Sequence, residues 1–416
     1  KYDIYVIFDE RAYALLKEGG SLCFIHPTTF MKKDFGEAIR KFINQNFKIK
    51  SILDFADIQV FQGATNYTGV FLFMKSKLSS DYEFAYHQYF NSGSSISVSD
   101  FQNSLTDTTS SSIKCFLPIK SLELEKSEWN FQNDSINYLL SKFAVDTKPL
   151  LEITESIFQG IASGKDEVFY VNEDTIREFK IERGILKKLL KGKDIKKYVV
   201  TWSGYYVIYP YDKNSRVLSE SILKSEYPNT FSYLSSHKVL LKGRDYFDNS
   251  PKKWFELWNQ RSFENFKLNR IVSPEITDRN NFVHTNVYYG NTKTYHIIPK
   301  EKSIENYLFL LGLLNSSLLD FVYKKITTPQ AGGFYAYKTQ FLSKLPIRQV
   351  EQPKAYSDIV SKIVSAKKEN PQANTSRLER QLDVMIYHPY QLTFEEAKII
   401  DVDLSEEDFE KYRIEI

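Results

Sequence analysis

Cysteine is scarce: Cys23 and Cys115 are the only two among 416 residues. That excludes a disulfide framework and a zinc–thiolate cluster. A reducing, cytoplasmic setting fits it best. No apolar run approaches the roughly 20 residues that cross a bilayer, so no membrane span is expected. The opening Lys1-Tyr2-Asp3-Ile4-Tyr5 lacks the charged and apolar regions of a signal peptide. The six histidines (26, 87, 237, 284, 296, 388) show no metal-ligand spacing, so no metal is expected. There is no Gly-x-Ser-x-Gly elbow and no internal repeat. Gly160 to Asp166 imitates a phosphate-binding loop, but the spacing is one residue short. Asp166 also stands where that loop needs Ser or Thr after Lys165, which excludes it.

What is present is an ordinary globular balance, 42% hydrophobic and 26% charged, on a length that favours two or three domains. Aromatic residues reach 15%, which prompts one reading as a carbohydrate-binding or surface interaction module. The first residue is Lys rather than Met, so the chain reads as part of something longer.

The net charge of +3 hides a segregation. Residues 180–197 carry +6, residues 236–345 carry +7, and residues 395–416 carry −6. A basic middle with an acidic tail suits a polyanion-binding surface, and a solvated face with scattered lysines is the plainer alternative.

Along the chain, the apolar spacing predicts a helix over 4–18, stopped by Gly19-Gly20. A buried strand follows over 21–26, then a loop at Pro27-Thr28-Thr29. Asp34 is placed as the N-cap of a helix through about residue 46. Strands over 48–55 and 67–74, joined by a loop over 59–66, form an antiparallel hairpin. Helices between strands predict a parallel sheet with right-handed crossovers. Residues 91–112, rich in Ser and Thr, predict loops around short strands. Beyond residue 129 strands are expected over 167–171, 205–211, 270–276, 282–289 and 294–298. Helices are expected over 219–236, 303–325, 355–369 and 375–387.

The run KYDIYVIFDERAYALLKEGGSLCFIHPTTF (1–30) resembles the second half of an adenine-N6 DNA methyltransferase catalytic domain. In that family a Tyr-rich helix follows a catalytic Asn-Pro-Pro-Tyr motif. A Gly-Gly leader and a strand ending in an apolar-x-Pro-x-x-Phe loop come next. ILDFADIQVFQGATNYTGVFLFMK (52–75) is similar to the family's last strand pair. From about residue 150 the chain resembles the TaqI-type target-recognition domain of type II restriction-modification enzymes. IFQGIASGKDEVFYV (157–171), FENFKLNRIVSPEITDRNNF (263–282), LLGLLNSSLLDFVYKKI (310–326), AGGFYAYKTQFLSKLPI (331–347) and YQLTFEEAKIID (390–401) carry that likeness, in the expected order.

The resemblance implies an α/β fold, the C-terminal half of a Rossmann-like methyltransferase sheet, over 1–128. An α+β target-recognition domain with C-terminal helices follows over 129–416. It implies methyl transfer from S-adenosylmethionine to the exocyclic N6 of an adenine turned out of double-stranded DNA. An Asn side chain and a backbone carbonyl of the Asn-Pro-Pro motif accept the amine protons. The chain contains no Asn-Pro-Pro, no cofactor-binding Gly-rich loop and no ribose-binding acid; in the family these precede the matched region. The expectation is that this stretch alone holds no cofactor and has no catalytic residue. The full-length protein would use S-adenosylmethionine, and Mg2+ only if a nuclease domain lies upstream.

The resemblance places His26, Pro27 and Phe30 on the rim of the target-base pocket. Phe73 is its best match to the aromatic that packs on the flipped adenine, with Tyr67 and Phe71 as register alternatives. Core packing is the competing reading for the two phenylalanines, and a structural histidine for His26. Candidates for DNA contact are Lys165, Asp166, Lys242, Arg244, Lys267, Arg270, Arg279, Lys293, Lys324, Lys325, Tyr335, Tyr337 and Lys338. Most would serve phosphates and a few would read base edges. A DNA-specificity subunit without its own catalysis is the second reading. Residues 1–75 argue against it, because such a subunit has no need of a methyltransferase strand–loop–strand order.

Overall fold

A computed structural model describes residues 3–412 apart from 57, 62–66, 77–80, 90–97, 112, 246, 328 and 331. The predicted loop at Asn91–Ser95, and 62–66 of the predicted loop over 59–66, lie outside the described residues. The chain forms two compact units. One comprises 1–141 with 324–336, and the other 142–323 with 337–416.

The first unit begins with α1 (Tyr5–Leu15), which turns at Gly19, φ +78°, into β1 (Ser21–Pro27). Next come α2 (Glu37–Asn46), β2 (Phe47–Asp54), β3 (Thr68–Lys75), β4 (Glu83–Tyr89), α3 (Val98–Thr106) and β5 (Lys114–Lys120). The sheet order is β1-β3-β2-β4-β5. β3 runs antiparallel to both β1 and β2, so the predicted hairpin forms. β1 and β2 are linked through α2 and run in the same direction, but β3 lies between them. The one parallel pair of neighbours in this sheet is β2 with β4. The prediction of a parallel sheet therefore holds only for the common direction of β1 and β2; the sheet as a whole is mixed, with β3 and β5 antiparallel to their neighbours. The core is aromatic and β-branched: Ile43, Phe47, Ile49, Ile52, Phe71 and Phe73 are fully buried. Each such side chain contributes roughly 1.5–3 kcal/mol.

Two local predictions are corrected. Asp34 does not cap α2. It opens a short 3-10 turn (Asp34–Gly36), and the helix starts from Gly36. A Cβ at Gly36 would meet the Phe30 carbonyl, and the Arg40 guanidinium donates to the carbonyls of Phe30 and Lys33. That clamp fixes the helix start, and a carboxylate cap does not. Within 91–112, α3 is a helix rather than a loop; Phe101 packs on Phe55 and Tyr89.

The second unit holds two four-stranded sheets. The first contains β7 (Tyr170–Val171), β8 (Leu186–Leu190), β9 (Tyr206–Ile208) and β12 (Tyr289–Gly290), in the order β12-β8-β9-β7. The second contains β6 (Thr154–Gln159), β10 (Arg270–Pro274), β11 (Val283–Thr285) and β13 (Thr294–Pro299), in the order β11-β10-β13-β6, antiparallel throughout. Helices α4 (Ile304–Leu314), α5 (Pro353–Glu369) and α6 (Ser376–Tyr387) pack beside them. The predicted helix over 303–325 breaks at Asn315-Ser316, where the Asn315 amide bonds the Phe282 backbone instead of continuing the helix. The predicted strand over 167–171 is mostly a helical turn, Asp166–Phe169. No helix among the described residues is long and apolar enough to cross a membrane.

Candidate functional site

In the first unit a cleft opens at the carboxyl ends of β1 and β2, where open α/β sheets place their ligands. Thr28 and Thr29 follow β1, Asp54 closes β2, and Tyr67 precedes β3. Asp54 is nearly buried and held from three sides. The Ala56 N–H donates to Oδ1 at 2.9 Å, the Tyr86 hydroxyl to Oδ2 at 2.7 Å, and the Gln88 amide to Oδ2 at 3.5 Å. Ala56 sits at φ +43°, a strained conformation for a residue with a Cβ. Burial pushes the Lys32 ammonium pKa down, and the Asp54 carboxylate opposes that. Burial, and then Asp54, holds the Tyr86 phenol well above its ordinary value. Trp129 and Asn130 complete the wall. Aromatic surface beside a carboxylate, an ammonium and side-chain amides suits a flat heterocycle with donors and acceptors on its edge.

Of the residues proposed from sequence for this rim, Tyr67 lines the cleft. Phe71 and Phe73 do not; both are fully buried, and Phe73 packs on Phe47 at 5.4 Å. Phe30 is also fully buried, tilted against Trp129, and Pro27 is half-buried at the end of β1. His26 is a core histidine. Its ring stacks between Tyr5, at 5.0 Å, and Phe71, at 4.4 Å. Its Nε2 lies 3.3 Å from the buried Asp9 carboxylate. Burial raises the Tyr5 phenol to about 12. Sequence reasoning missed Lys32, Asp54, Tyr86, Trp129 and Asn130. The one visible signal was Asp54, a lone acid ending an apolar strand.

The thirteen proposed DNA contacts separate by burial. Arg270 is fully buried. It donates to the carbonyls of Phe266 (2.6 Å), Leu268 (2.9 Å) and Tyr288, and through Nε to His296 Nδ1 at 3.1 Å. Arg244 is buried and donates to the carbonyls of Leu241, Ser163, Glu256 and Trp254. Tyr337 is fully buried, stacked on Tyr323 at 4.1 Å, with its hydroxyl on Asn280 Oδ1. These three are structural, because their polar groups are already occupied inside the fold. Lys242, Lys267, Arg279, Lys293 and Lys338 are exposed. Lys165 is half-buried on a turn whose Ser163 hydroxyl bonds the exposed Asp166. In the first unit, Lys324, Lys325 and Tyr335 are half-buried. The Lys325 carbonyl accepts from Asn130 at 2.8 Å, and Tyr335 lies on a hairpin of Pro329–Gln330 with Phe334–Ala336. Among the described residues no group of three or more His, Cys, Asp or Glu could hold a metal ion.

The loop after β1 is a 3-10 turn, Thr28–Met31, with Phe30 and Met31 buried, not an open glycine loop.

Comparison with known proteins gives matches in both parts of the chain. Residues 1–61 match the Eco57I restriction-modification methylase family, and residues 187–347 match the TaqI-like C-terminal specificity domain. The type II methyltransferase M.BstVI of Geobacillus stearothermophilus is 24% identical over 96% of this chain and 69% of its own length. The type II methyltransferase M.BanIII of Aneurinibacillus aneurinilyticus is 24% identical over 84% of this chain and 64% of its own. The DNA complex of the type IIL restriction-modification enzyme MmeI superposes with a TM-score of 0.64 at 13% identity. That likeness covers 99% of this chain and 52% of that one. The chain thus spans about two thirds of the curated relatives and half of the solved structure. An Eco57I-type restriction-modification methylase segment at its start and a TaqI-like specificity domain in its second half make this chain type II restriction-modification methyltransferase-like.

Proposed function

We propose that this chain reads double-stranded DNA and presents the target base for a methyltransferase of a type II restriction-modification system. The full-length protein transfers the methyl group of S-adenosylmethionine to adenine N6, works in the cytoplasm, and carries Mg2+ only if a nuclease is fused to it. Residues 1–128 serve the methyltransferase sheet, with 129–141 and 324–336 in the same compact unit, and the rest of 129–416 serves the recognition of sequence. The observation that carries this reading is the order of the two matches, methylase first and specificity domain second. A pure specificity subunit has no use for the first. The cleft beside Asp54 adds weight: Tyr67 offers a face, backed by the buried Trp129, and Lys32, Asp54 and Asn130 offer polar edges, as an extruded base requires. β1 is an edge strand of its sheet, and α1 exposes Ile7, Phe8 and Leu15, with Ile4 exposed just before it. That apolar surface suits the preceding half of a methyltransferase domain.

The test is methylation by the full-length protein. Tritium from labelled S-adenosylmethionine should enter duplex DNA, and nucleoside analysis should return N6-methyladenine. Label in a cytosine product would refute the adenine assignment, and no label at all would refute the methyltransferase.

A further inference from the structure

The second unit holds lysines of two kinds. Lys165, Lys224, Lys267, Lys293 and Lys302 each face a carboxylate within 4.0 Å. Lys188, Lys191 and Lys193, on β8 and the turn after it, form no salt bridge among the described residues; the neighbouring Lys197 does, with Glu379. Two of the three lie over rings, a support they share with Lys224 over Phe231 and Lys267 over Phe263; what sets them apart is the lack of a carboxylate partner among the described residues. Lys188 Nζ sits 5.1 Å above the Trp202 ring, and Lys191 sits over Tyr205. The Tyr205 ring packs partly buried against the core of the unit, and the Trp202 ring is pinned. The Trp202 Nε1–H donates to the carbonyls of Leu189 at 3.0 Å and Tyr205 at 3.2 Å, and Tyr206 meets Trp202 edge-on at 5.2 Å.

A ring steadies an ammonium without neutralising it, so the charge stays available at the surface. Asp194, under the turn, is buried; its Oδ2 accepts from the Lys191 N–H and the Ser203 hydroxyl. Burial, and then the Lys193 ammonium, pushes the Lys191 pKa down, and the Asp194 and Asp166 carboxylates oppose that. Gly192 lets the turn press on a distant segment: a Cβ there would come within 2.7 Å of the Lys293 carbonyl. The turn is thereby seated on the body of the unit beside a fourth lysine.

We infer that Lys188, Lys191 and Lys193 form a sequence-independent clasp on the phosphate backbone of duplex DNA, with Trp202 and Tyr205 as its rigid supports. The inference rests on the DNA-reading function proposed above and assigns residues that the family resemblance did not single out. Three compact ammoniums with free donors suit phosphate oxygens, whereas base-edge reading calls for planar, two-pronged side chains.

The experiment is fluorescence anisotropy of a labelled random-sequence duplex against the full chain at several salt concentrations. The variants are Lys188→Gln/Lys191→Gln/Lys193→Gln together, Lys193→Gln alone, and Lys224→Gln as a control on an exposed helix. The wild-type logarithm of affinity should fall linearly with the logarithm of salt. The triple variant should bind roughly tenfold or more weakly, with a slope smaller by about 0.9 for each phosphate no longer neutralised. Lys193→Gln should lose about one such increment, and Lys224→Gln none. The single variant decides the matter if the triple variant fails to fold. Wild-type affinity and slope in the folded variants, with the wild type binding duplex, would overturn the clasp and leave the DNA reading standing. No duplex binding by the wild type would overturn both.

Discussion

Arg270 on β10 and the lysines of the β8 turn are all strong cations of the second unit, yet their surroundings oppose each other. Around Arg270 the fold supplies three backbone carbonyls and an imidazole nitrogen, and water is excluded. Around Lys188 and Lys191 it supplies rings and leaves the charge outside. The chemistry of the two side chains explains the difference. A guanidinium spreads its charge over a planar fork that can satisfy several carbonyls at once, while an ammonium is a compact, strongly hydrated point. Positive charge in this unit therefore does two jobs, cross-linking inside and attraction outside. The first unit shows the same division in its aromatics: Phe71 and Phe73 hold the core, and Tyr67 faces the cleft.

The largest effect that would sharpen this contrast is at Arg270. Arg270→Met should leave the carbonyls of Phe266, Leu268 and Tyr288 without their donor and cost about 3–5 kcal/mol, read from urea denaturation. A loss under about 1 kcal/mol would put Arg270 with the surface cations. In the first unit Phe71→Ala should cost about 3–5 kcal/mol by opening a cavity. Tyr67→Phe, which removes one hydroxyl, should stay within about 1.5 kcal/mol. Equal losses at the two positions would erase the distinction between core and cleft.

The smallest effect is one of pH. His296 Nδ1 accepts from Arg270, so its proton rests on Nε2 and is donated to Thr294 Oγ1 at 3.0 Å. Burial, then the charges of Arg270 and Arg261, holds its pKa well below 6.5. The unfolded chain therefore binds a proton at about pH 6.5 that the folded chain refuses. Stability is complete above that pH and declines as pH falls through it. His296→Gln should flatten the decline between roughly pH 6.5 and 5 in thermal melts; an unchanged slope would acquit this histidine.

Much of the fold was legible in residues 1–75. Gly19-Gly20, the apolar run over 21–26 and the alternation over 67–74 each mark an element by local chemistry alone. Pairing was not legible, because side-chain alternation identifies a strand without naming its neighbour. That is why β3 lies between β1 and β2 unannounced. The start of α2 escaped for a similar reason: Asp34 has the local look of a cap, but the Arg40 clamp and the close approach at Gly36 come from the Phe30 loop.

The candidate sites divide on the same line. The sequence by itself determined the two-part order of the chain, its family likeness, and where positive charge concentrates. Only the tertiary structure decided which charges face solvent, since burial depends on packing from distant segments. It sent Arg244, Arg270, Tyr337 and His26 inward, and it joined Lys32, Asp54, Tyr86 and Trp129 around one cleft from four stretches of chain. The physical reason is that periodicity and composition act between near neighbours, whereas a site is a meeting of residues whose separation along the chain carries no local signal.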